Sequence, residues 1–262
     1  MSNNDNQGGS LGLWTCVAMI AGGMIGSAIF SLSGLTIFQA GPSAVLTWSI
    51  AAVIMLGYGL ICAELSTRFP KSGGVFVFPA KSLGKTEKEG KLWGWISTWG
   101  YINANIIAIA FAAIYVGTYL SVGFPVFANM QVPLAVISVF FVLILNSLKF
   151  SLTGKVNNLL VLGLVISMLI YIVVAFGSGA WEGAAMTPFF TQGAGGSTGF
   201  LSMVPTAMVA YGSIVAMAFM VSEVKDPNRN VPRSILVAML IVLVLYLGII
   251  IATLGMVTAG FL

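Results

Sequence analysis

The stretch that decides the fold is GGMIGSAIF, residues 22–30, which lies in the middle of the first long apolar segment. It contains three glycines and a serine, and each glycine weakens a helix by about 0.5–1 kcal/mol relative to alanine. The surrounding segment, Leu13–Phe38, contains no charged residue and is long enough to cross a bilayer. A helix break at that depth leaves backbone N–H and C=O groups that lipid cannot satisfy. Such a break is expected only where the backbone lines a cavity or meets a ligand.

The same residues have a second interpretation, in which they form a packing face. Gly22 and Gly26 have the GxxxG spacing that lets membrane helices approach one another closely. A packing face of this kind needs neither a break nor a ligand. The segment taken alone leaves both interpretations open, so the rest of the chain has to distinguish them.

The composition of the chain is that of a membrane protein with several helical spans. Of its 262 residues, 58% are hydrophobic and 7% are charged, whereas a soluble domain carries about 25% charged residues. The net charge of +4 comes without a basic patch interleaved with aromatic residues, so we expect no nucleic-acid partner. The first ten residues are polar and carry no positive charge, so we expect no cleaved signal peptide.

The residue types needed for most enzyme chemistry are missing from the sequence. The chain has no histidine, and its two cysteines, Cys16 and Cys62, both fall in apolar segments. A histidine-dependent triad and a histidine-ligated metal or haem are excluded within this chain. No nucleophile–base pair or metal-ligand spacing stands out, so we expect no cofactor and no enzymatic activity.

The apolar segments divide the chain into seven predicted membrane spans. Most of them approach or exceed the roughly 20 residues that a bilayer requires. The stretch Val75–Phe78 is too short to span and predicts an interfacial or re-entrant piece. The predicted spans are Leu13–Phe38, Ala44–Leu65, Trp93–Val122, Pro133–Leu148, Leu159–Phe176, Met203–Val221 and Ile235–Thr258.

The basic residues predict the orientation of these spans. All 11 lie in alternate connections: six between spans two and three, two between four and five, and three between six and seven. The positive-inside rule then places these connections and the N-terminus in the cytoplasm, in a multi-pass protein of the cytoplasmic membrane whose partner is the lipid bilayer. The connection Gly177–Ser202 falls outside, and its Gly, Ser and Thr content predicts a flexible cover over the sixth span.

The sixth predicted span repeats the irregularity of the first. Its middle reads MVAYGSI, residues 208–214, again with a Gly-Ser pair inside an uncharged apolar segment. Because spans one and six are an odd number of spans apart, they run in opposite directions through the membrane. An inverted repeat of five spans with a broken first helix predicts this relation. Half-helix N-termini attract an anion and unwound carbonyls attract a cation, so a zwitterion fits both.

Three motifs give the chain a family likeness. They are GGMIGSAIF at residues 22–30, AELSTRFPKSGGVF at 63–76 and SEVKDPNRNVPR at 222–233. In this order they resemble the amino acid–polyamine–organocation (APC) permeases. The resemblance implies an all-α polytopic LeuT-type fold of inverted five-helix repeats, here truncated to helices 1–7 with helices 1 and 6 broken. The implied division is a cytoplasmic tail at residues 1–12, a first repeat at 13–176, an outer loop at 177–202 and two helices of the second repeat at 203–262.

The resemblance also implies a substrate site at the first interruption. Backbone N–H groups around Gly26, Ser27 and Ala28 would hold the carboxylate of an amino acid. Carbonyl groups near Met24 and Ile25 would accept hydrogen bonds from its ammonium.

The second interruption would complete this site. Carbonyl groups near Met208 and Tyr211 would also receive the ammonium, and the two side chains would offer apolar surface to the substrate. Gly212 and Ser213 would form the break itself. In the third span, Asn105 would reach the substrate's side chain or, as an alternative, form a hydrogen bond between helices.

The function implied by the resemblance is secondary active transport of amino acids by alternating access. A coupling ion or a counter-substrate belongs to such a mechanism, and the sequence identifies neither. One alternative is a fragment of a permease that does not transport, and another is a polyamine or organocation exchanger of the same fold. A seven-helix retinal protein is disfavoured, because the seventh span has no lysine for a Schiff base and the N-terminus is predicted to lie inside.

Overall fold

The protein is built from helices, as the composition predicts. The computed structural model describes residues 11–26, 28–69, 73–147, 150–190 and 192–256. The helices of the first part are α1 Leu13–Met24, α2 Ala28–Ala40, α3 Ala44–Arg68, α4 Gly74–Ser82, α5 Glu87–Gly123, α6 Gln131–Ser147 and α7 Phe150–Gly177. Those of the second part are α8 Gly199–Ser202, α9 Val204–Met208, α10 Ala216–Phe219 and α11 Pro227–Met256.

Several of these helices have the length and composition of membrane spans. Within the described ranges, five helical stretches meet that criterion, and the shorter apolar helices α1 and α6 accompany them. The five are Ala28–Arg68, Glu87–Gly123, Leu159–Gly177, Gly196–Val215 and Pro227–Met256. The all-α, multi-pass prediction is therefore confirmed.

The stretch Ala28–Arg68 contains two of the predicted spans, because the chain turns back within it. A 3-10 turn at Gly41–Ser43 separates α2 from α3, and Gly41 has a left-handed φ of +59°. The indole nitrogen of Trp48 then lies 3.0 Å from the hydroxyl of Thr36. In a continuous helix these two residues would be about 18 Å apart, so the bond requires a reversal of the chain.

Three helices begin earlier than the hydropathy of the sequence predicted. Span three begins at Glu87 instead of Trp93, with Thr86 as its N-cap, and α7 begins at Phe150 instead of Leu159. The last helix begins at Pro227, at the first helical position that proline favours, and not at Ile235. Hydropathy marks the part of a helix that lipid can cover, whereas backbone hydrogen bonding continues into the polar turns beyond it. Several basic residues expected in loops therefore lie on helix ends.

The buried core lies where α1, α3, the segment 209–215 and α11 pack against one another. In the most apolar part of α11, 44% of residues are buried, compared with 11% in the corresponding parts of α5 and α7. The short helix α4 covers the predicted piece Val75–Phe78 and packs mainly on α5. The two interruptions predicted from the sequence belong to the well-packed half of the molecule.

The segment between Gly177 and Ser202, which we call the outer loop, is tied down more firmly than its composition predicts. Backbone N–H groups of Ala194 and Gly195 donate to the carbonyls of Phe38 and Gln39, at 2.9 and 2.8 Å. The indole N–H of Trp181 donates to the Ile251 carbonyl at 3.1 Å. The expectation of a flexible cover is corrected: glycines without side chains let this loop approach the ends of α2 and α11 closely enough for backbone hydrogen bonds.

Candidate functional site

The first interruption lies where the sequence predicted it. Helix α1 ends at Met24, and Ile25 follows in an extended conformation with φ −73° and ψ 95°. Helix α2 begins at Ala28, so the regular backbone is broken next to Gly26. Ser27, also predicted to bind substrate, lies outside the described residues. The last carbonyl groups of α1 and the first N–H groups of α2 lie on either side of this break.

The second interruption takes a different form. After α9, residues Val209–Val215 form a 3-10 helix before α10 continues. A 3-10 helix closes hydrogen bonds three residues apart, as between the Ala216 N–H and the Ser213 carbonyl. The backbone here is wound more tightly instead of being opened. Its carbonyl groups are therefore less free than those at the end of α1.

The two interruptions touch each other. A Cβ atom placed on Gly23 would lie 2.9 Å from the Cβ of Ser213, which is closer than such atoms approach in proteins. One step earlier, a Cβ on Gly22 would lie 3.3 Å from a methyl group of Val161 in α7. These two glycines therefore serve close helix packing.

Other glycines of the two interruptions face open space. A Cβ atom on Gly26 or on Gly212 would meet nothing within 4 Å. The packing and site interpretations of residues 22–30 thus apply to different glycines. Gly22 and Gly23 pack, whereas Gly26 leaves room beside the break.

Behind the contact between the interruptions lies a group of three buried aromatic residues, Trp48, Tyr211 and Tyr246, which we call the aromatic cluster. All three are fully buried. The ring of Tyr246 lies 5.2 Å from that of Trp48 and 5.3 Å from that of Tyr211, in edge-on and tilted geometries that aromatic pairs favour. The cluster joins α3, α11 and the 209–215 segment.

The hydroxyl group of Tyr246 connects the two interruptions directly. It lies 2.7 Å from the carbonyl oxygen of Met24 and 3.3 Å from that of Ala210. Met24 ends α1, and Ala210 belongs to the 3-10 segment. Sequence reasoning missed Tyr246. The available signal was a phenol inside an apolar span, since a buried tyrosine hydroxyl usually finds a hydrogen-bond partner.

Tyr211 is placed differently from the expectation. Its ring was expected to offer apolar surface to a substrate, but it is fully buried and its hydroxyl donates to the Trp48 carbonyl at 3.3 Å. Because the acceptor of the Tyr211 hydroxyl lies in the interior, the ring is buried as well. Met208 is half-buried, so its side chain is the more accessible of the two.

Asn105 lies on α5, which packs mainly on α4 and α6. Its side chain is exposed, and its amide nitrogen donates to the Tyr101 carbonyl at 2.8 Å, one turn earlier on the same helix. This hydrogen bond of Asn105 lies within α5. It neither reaches the interruptions nor joins two helices. A short amide side chain in a helix can satisfy itself on the preceding turn, which the sequence pattern did not reveal.

A separate cavity of about 560 Å³ lies between α3, α4 and α5. Aromatic side chains form much of its wall: Tyr58, Phe78, Tyr101 and Phe219. None of the predicted substrate-binding residues lines it. Within the described part of the chain, no group of three or more His, Cys, Asp or Glu residues is placed to hold a metal ion.

Comparison with known proteins adds evidence on the family. A family model described as amino acid permease matches residues 11–260. An uncharacterized transporter of Mycobacterium tuberculosis is 28% identical over 90% of this chain and 50% of its own. A serine/threonine exchanger of Bacillus subtilis is 26% identical over 95% of this chain and 56% of its own. A branched-chain amino acid permease of Lactococcus lactis is 28% identical over 92% and 54%. The chain spans about half the length of these curated relatives.

Proposed function

This chain belongs to the amino acid permease family, and from that premise we propose that it forms part of a secondary transporter that moves amino acids across the cytoplasmic membrane by alternating access. The observation that carries the proposal is the contact between Gly23 and Ser213, which brings two interrupted spans together. Open space beside Gly26 and Gly212 supports a ligand at this place. Transport of this kind needs no covalent chemistry, only two conformations that expose one site in turn.

The proposed site binds the two charged ends of an amino acid. The N–H groups at the start of α2, from Gly26 to Ala28, would hold the carboxylate, because a helix N-terminus carries a partial positive charge. Ser27 belongs to this proposal although it lies outside the described residues. The carbonyls at the end of α1, those of Met24 and Ile25, would receive the ammonium.

The second interruption would supply the remaining contacts. Carbonyl groups near Met208 and Tyr211 face the ammonium in this proposal, with open space beside Gly212 and with Ser213 next to it. Asn105 would contact the substrate's side chain in this proposal. For this contact its amide must break the hydrogen bond with the Tyr101 carbonyl. Each of these contacts is open to mutation.

We further propose an uncharged amino acid as substrate. Two of the relatives are named for such substrates, serine/threonine and branched-chain amino acids. Ile25 and Met208 next to the interruptions are apolar, in keeping with an uncharged side chain. A polyamine would need several carboxylates, and the seven acidic residues of this chain lie in loops, in the tail or at span ends. The exchanger of polyamines or organocations is therefore the weaker candidate.

The membrane arrangement also belongs to the proposal. We place the N-terminus and the basic connections in the cytoplasm, following the distribution of the 11 basic residues. Residues 13–176 would form a first repeat and residues 203–262 the start of an inverted second one, joined by the outer loop. The coupling partner, an ion or a counter-substrate, would bind within the same cycle.

A second candidate function is that of a permease part that does not transport by itself. The chain spans about half the length of its relatives, and α5 and α7 have few buried residues. Long apolar helices with so little buried surface have room for further helices as well as for lipid. In this case the site would be completed only by additional chain.

Uptake into proteoliposomes tests the proposal. Vesicles would hold either this 262-residue chain or a version extended by any downstream coding sequence, with labelled serine or leucine outside. We expect saturable uptake that other uncharged amino acids inhibit. Uptake by the extended form alone would favour the second candidate. If neither form shows saturable uptake under a proton, sodium or counter-substrate gradient, the transport proposal is wrong.

A matched pair of variants locates the site in the same assay. Gly26→Leu fills open space beside the first interruption and should abolish uptake without preventing membrane insertion. Gly163→Leu makes the same change on an exposed face of α7, where a Cβ also meets nothing within 4 Å, and should leave uptake unchanged. Equal uptake in the two variants would contradict a site at the interruption.

A further inference from the structure

Tyr246 makes contacts that the proposed transport site does not yet explain. Its hydroxyl reaches the carbonyl of Met24, which is one of the groups proposed to receive the substrate's ammonium. We propose that Tyr246 takes the place of the substrate's ammonium in the empty site and that substrate binding transfers its hydrogen bond to Ala210. The inference rests on the proposed function and adds a positioning residue that senses whether the site is occupied.

The hydroxyl of Tyr246 has two acceptors within reach but only one hydrogen to donate. A tyrosine hydroxyl donates a single hydrogen bond. The Met24 oxygen lies at 2.7 Å and the Ala210 oxygen at 3.3 Å, so the hydrogen points to Met24. The longer contact marks the alternative acceptor, already in place.

The carbonyl group of Met24 needs a hydrogen-bond donor from outside its own helix. It lies at the end of α1, where the last carbonyl groups of a helix have no partner within the helix. Met24 is also buried, with 2% of its surface exposed. An unpaired carbonyl at such a place is costly, and Tyr246 supplies the missing hydrogen bond in the empty site.

The substrate's ammonium competes successfully with the Tyr246 hydroxyl for the carbonyl oxygen of Met24. A hydrogen bond from a charged donor is about twice as strong as one between neutral groups. When the ammonium reaches Met24, the tyrosine hydroxyl can turn to Ala210 without being left unpaired. The exchange moves one hydrogen bond from the first interruption to the second and draws α11 towards the 209–215 segment.

The aromatic cluster restricts this exchange to a small movement. Trp48 and Tyr211 both pack against the Tyr246 ring, and all three side chains are fully buried. Shortening the contact with Ala210 from 3.3 Å to an ordinary hydrogen bond requires about half an ångström. The ring can tilt by this amount without leaving its place.

The test is the affinity of a Tyr246→Phe variant for labelled serine and leucine, measured by equilibrium binding to the protein in nanodiscs. Both the 262-residue chain and its extended form are used. Phenylalanine keeps the ring and removes the competing hydroxyl, so the empty site loses its substitute donor. We expect Kd to fall by about five- to tenfold, because the buried Met24 carbonyl is then left without a donor in the empty site and regains one only when the ammonium binds. Tyr171→Phe, which loses a hydroxyl that contacts Thr253 of α11 and neither interruption carbonyl, should leave Kd unchanged.

The possible results separate the inference from the transport proposal. If the Tyr246→Phe variant binds saturably with an unchanged Kd, Tyr246 has only a structural role. If its Kd is raised, the hydroxyl holds the substrate together with Met24. Either result overturns the inference and leaves the transport proposal standing. Absence of saturable binding in wild type and variant alike contradicts the transport proposal and the inference with it.

A second measurement keeps the hydroxyl and so avoids any loss of folding. 3-Fluorotyrosine placed at position 246 should change its fluorine chemical shift when serine or leucine binds, whereas the same label at position 171 on α7 should change little. Binding without a shift at 246 would overturn the inference.

Discussion

The contact between the two interrupted spans can be tested by adding a single methyl group. In Gly23→Ala the new Cβ atom would lie 2.9 Å from the Cβ of Ser213, an atom too close to its backbone to move away easily. Overpacking of this kind costs about 1–3 kcal/mol, and alanine returns about 0.5–1 kcal/mol through its higher helix propensity. We expect a net loss of about 1 kcal/mol in the free energy of unfolding. Equilibrium unfolding in mixed detergent micelles, followed by tryptophan fluorescence, measures it.

The rescue by a second substitution makes this prediction specific. Ser213→Gly removes the atoms that the new methyl group meets, so the double variant should recover most of the overpacking cost. The coupling energy in the double-mutant cycle should be about 1 kcal/mol or more. Gly26→Ala, which meets open space, serves as the control and should show no coupling with Ser213→Gly. A Gly23→Ala variant as stable as the wild type, or one that Ser213→Gly does not rescue, would refute the contact.

Two further predictions concern hydrogen bonds that the sequence did not suggest. Trp181→Phe removes the N–H that donates to Ile251, and amide hydrogen exchange in the outer loop should rise by about fivefold, with no increase if the indole does not anchor the loop. Thr36→Val replaces the hydroxyl that accepts from the buried Trp48 N–H with a methyl group and should lower the free energy of unfolding by about 1–3 kcal/mol, with no loss if this bond does not join α2 to α3.

Helix-breaking composition was enough to predict where the two interruptions lie. A helix break in an uncharged apolar span needs a physical reason, since lipid cannot satisfy an opened backbone. The break between Met24 and Ala28 lies within the first stretch singled out, and the 3-10 segment Val209–Val215 matches the second to within one residue. Their forms could not be predicted, because the choice between an extended residue and a 3-10 turn depends on the packing around each.

The partners of the buried polar groups were also beyond the sequence. Tyr246 lies 222 residues from Met24 along the chain, and no local pattern connects them. Tyr211 was expected at the substrate, but its hydroxyl turned towards the interior to find an acceptor. Asn105 satisfied its amide on its own helix. A hydrogen-bonding side chain in an apolar span indicates that a hydrogen-bond partner is needed. Which group becomes the partner depends on the fold.

One measurement tests most directly whether the two interruptions form a single amino acid site. Cysteines would be placed at Gly26 and, in a separate protein, at Gly212, in a background with Cys16→Ser and Cys62→Ser. Each would react with a thiol reagent in the presence of increasing serine or leucine, and Gly163→Cys on α7 is the unprotected control. If the two interruptions form one site, one amino acid protects both positions with the same half-maximal concentration. Protection of only one position, or of neither, would contradict a single site.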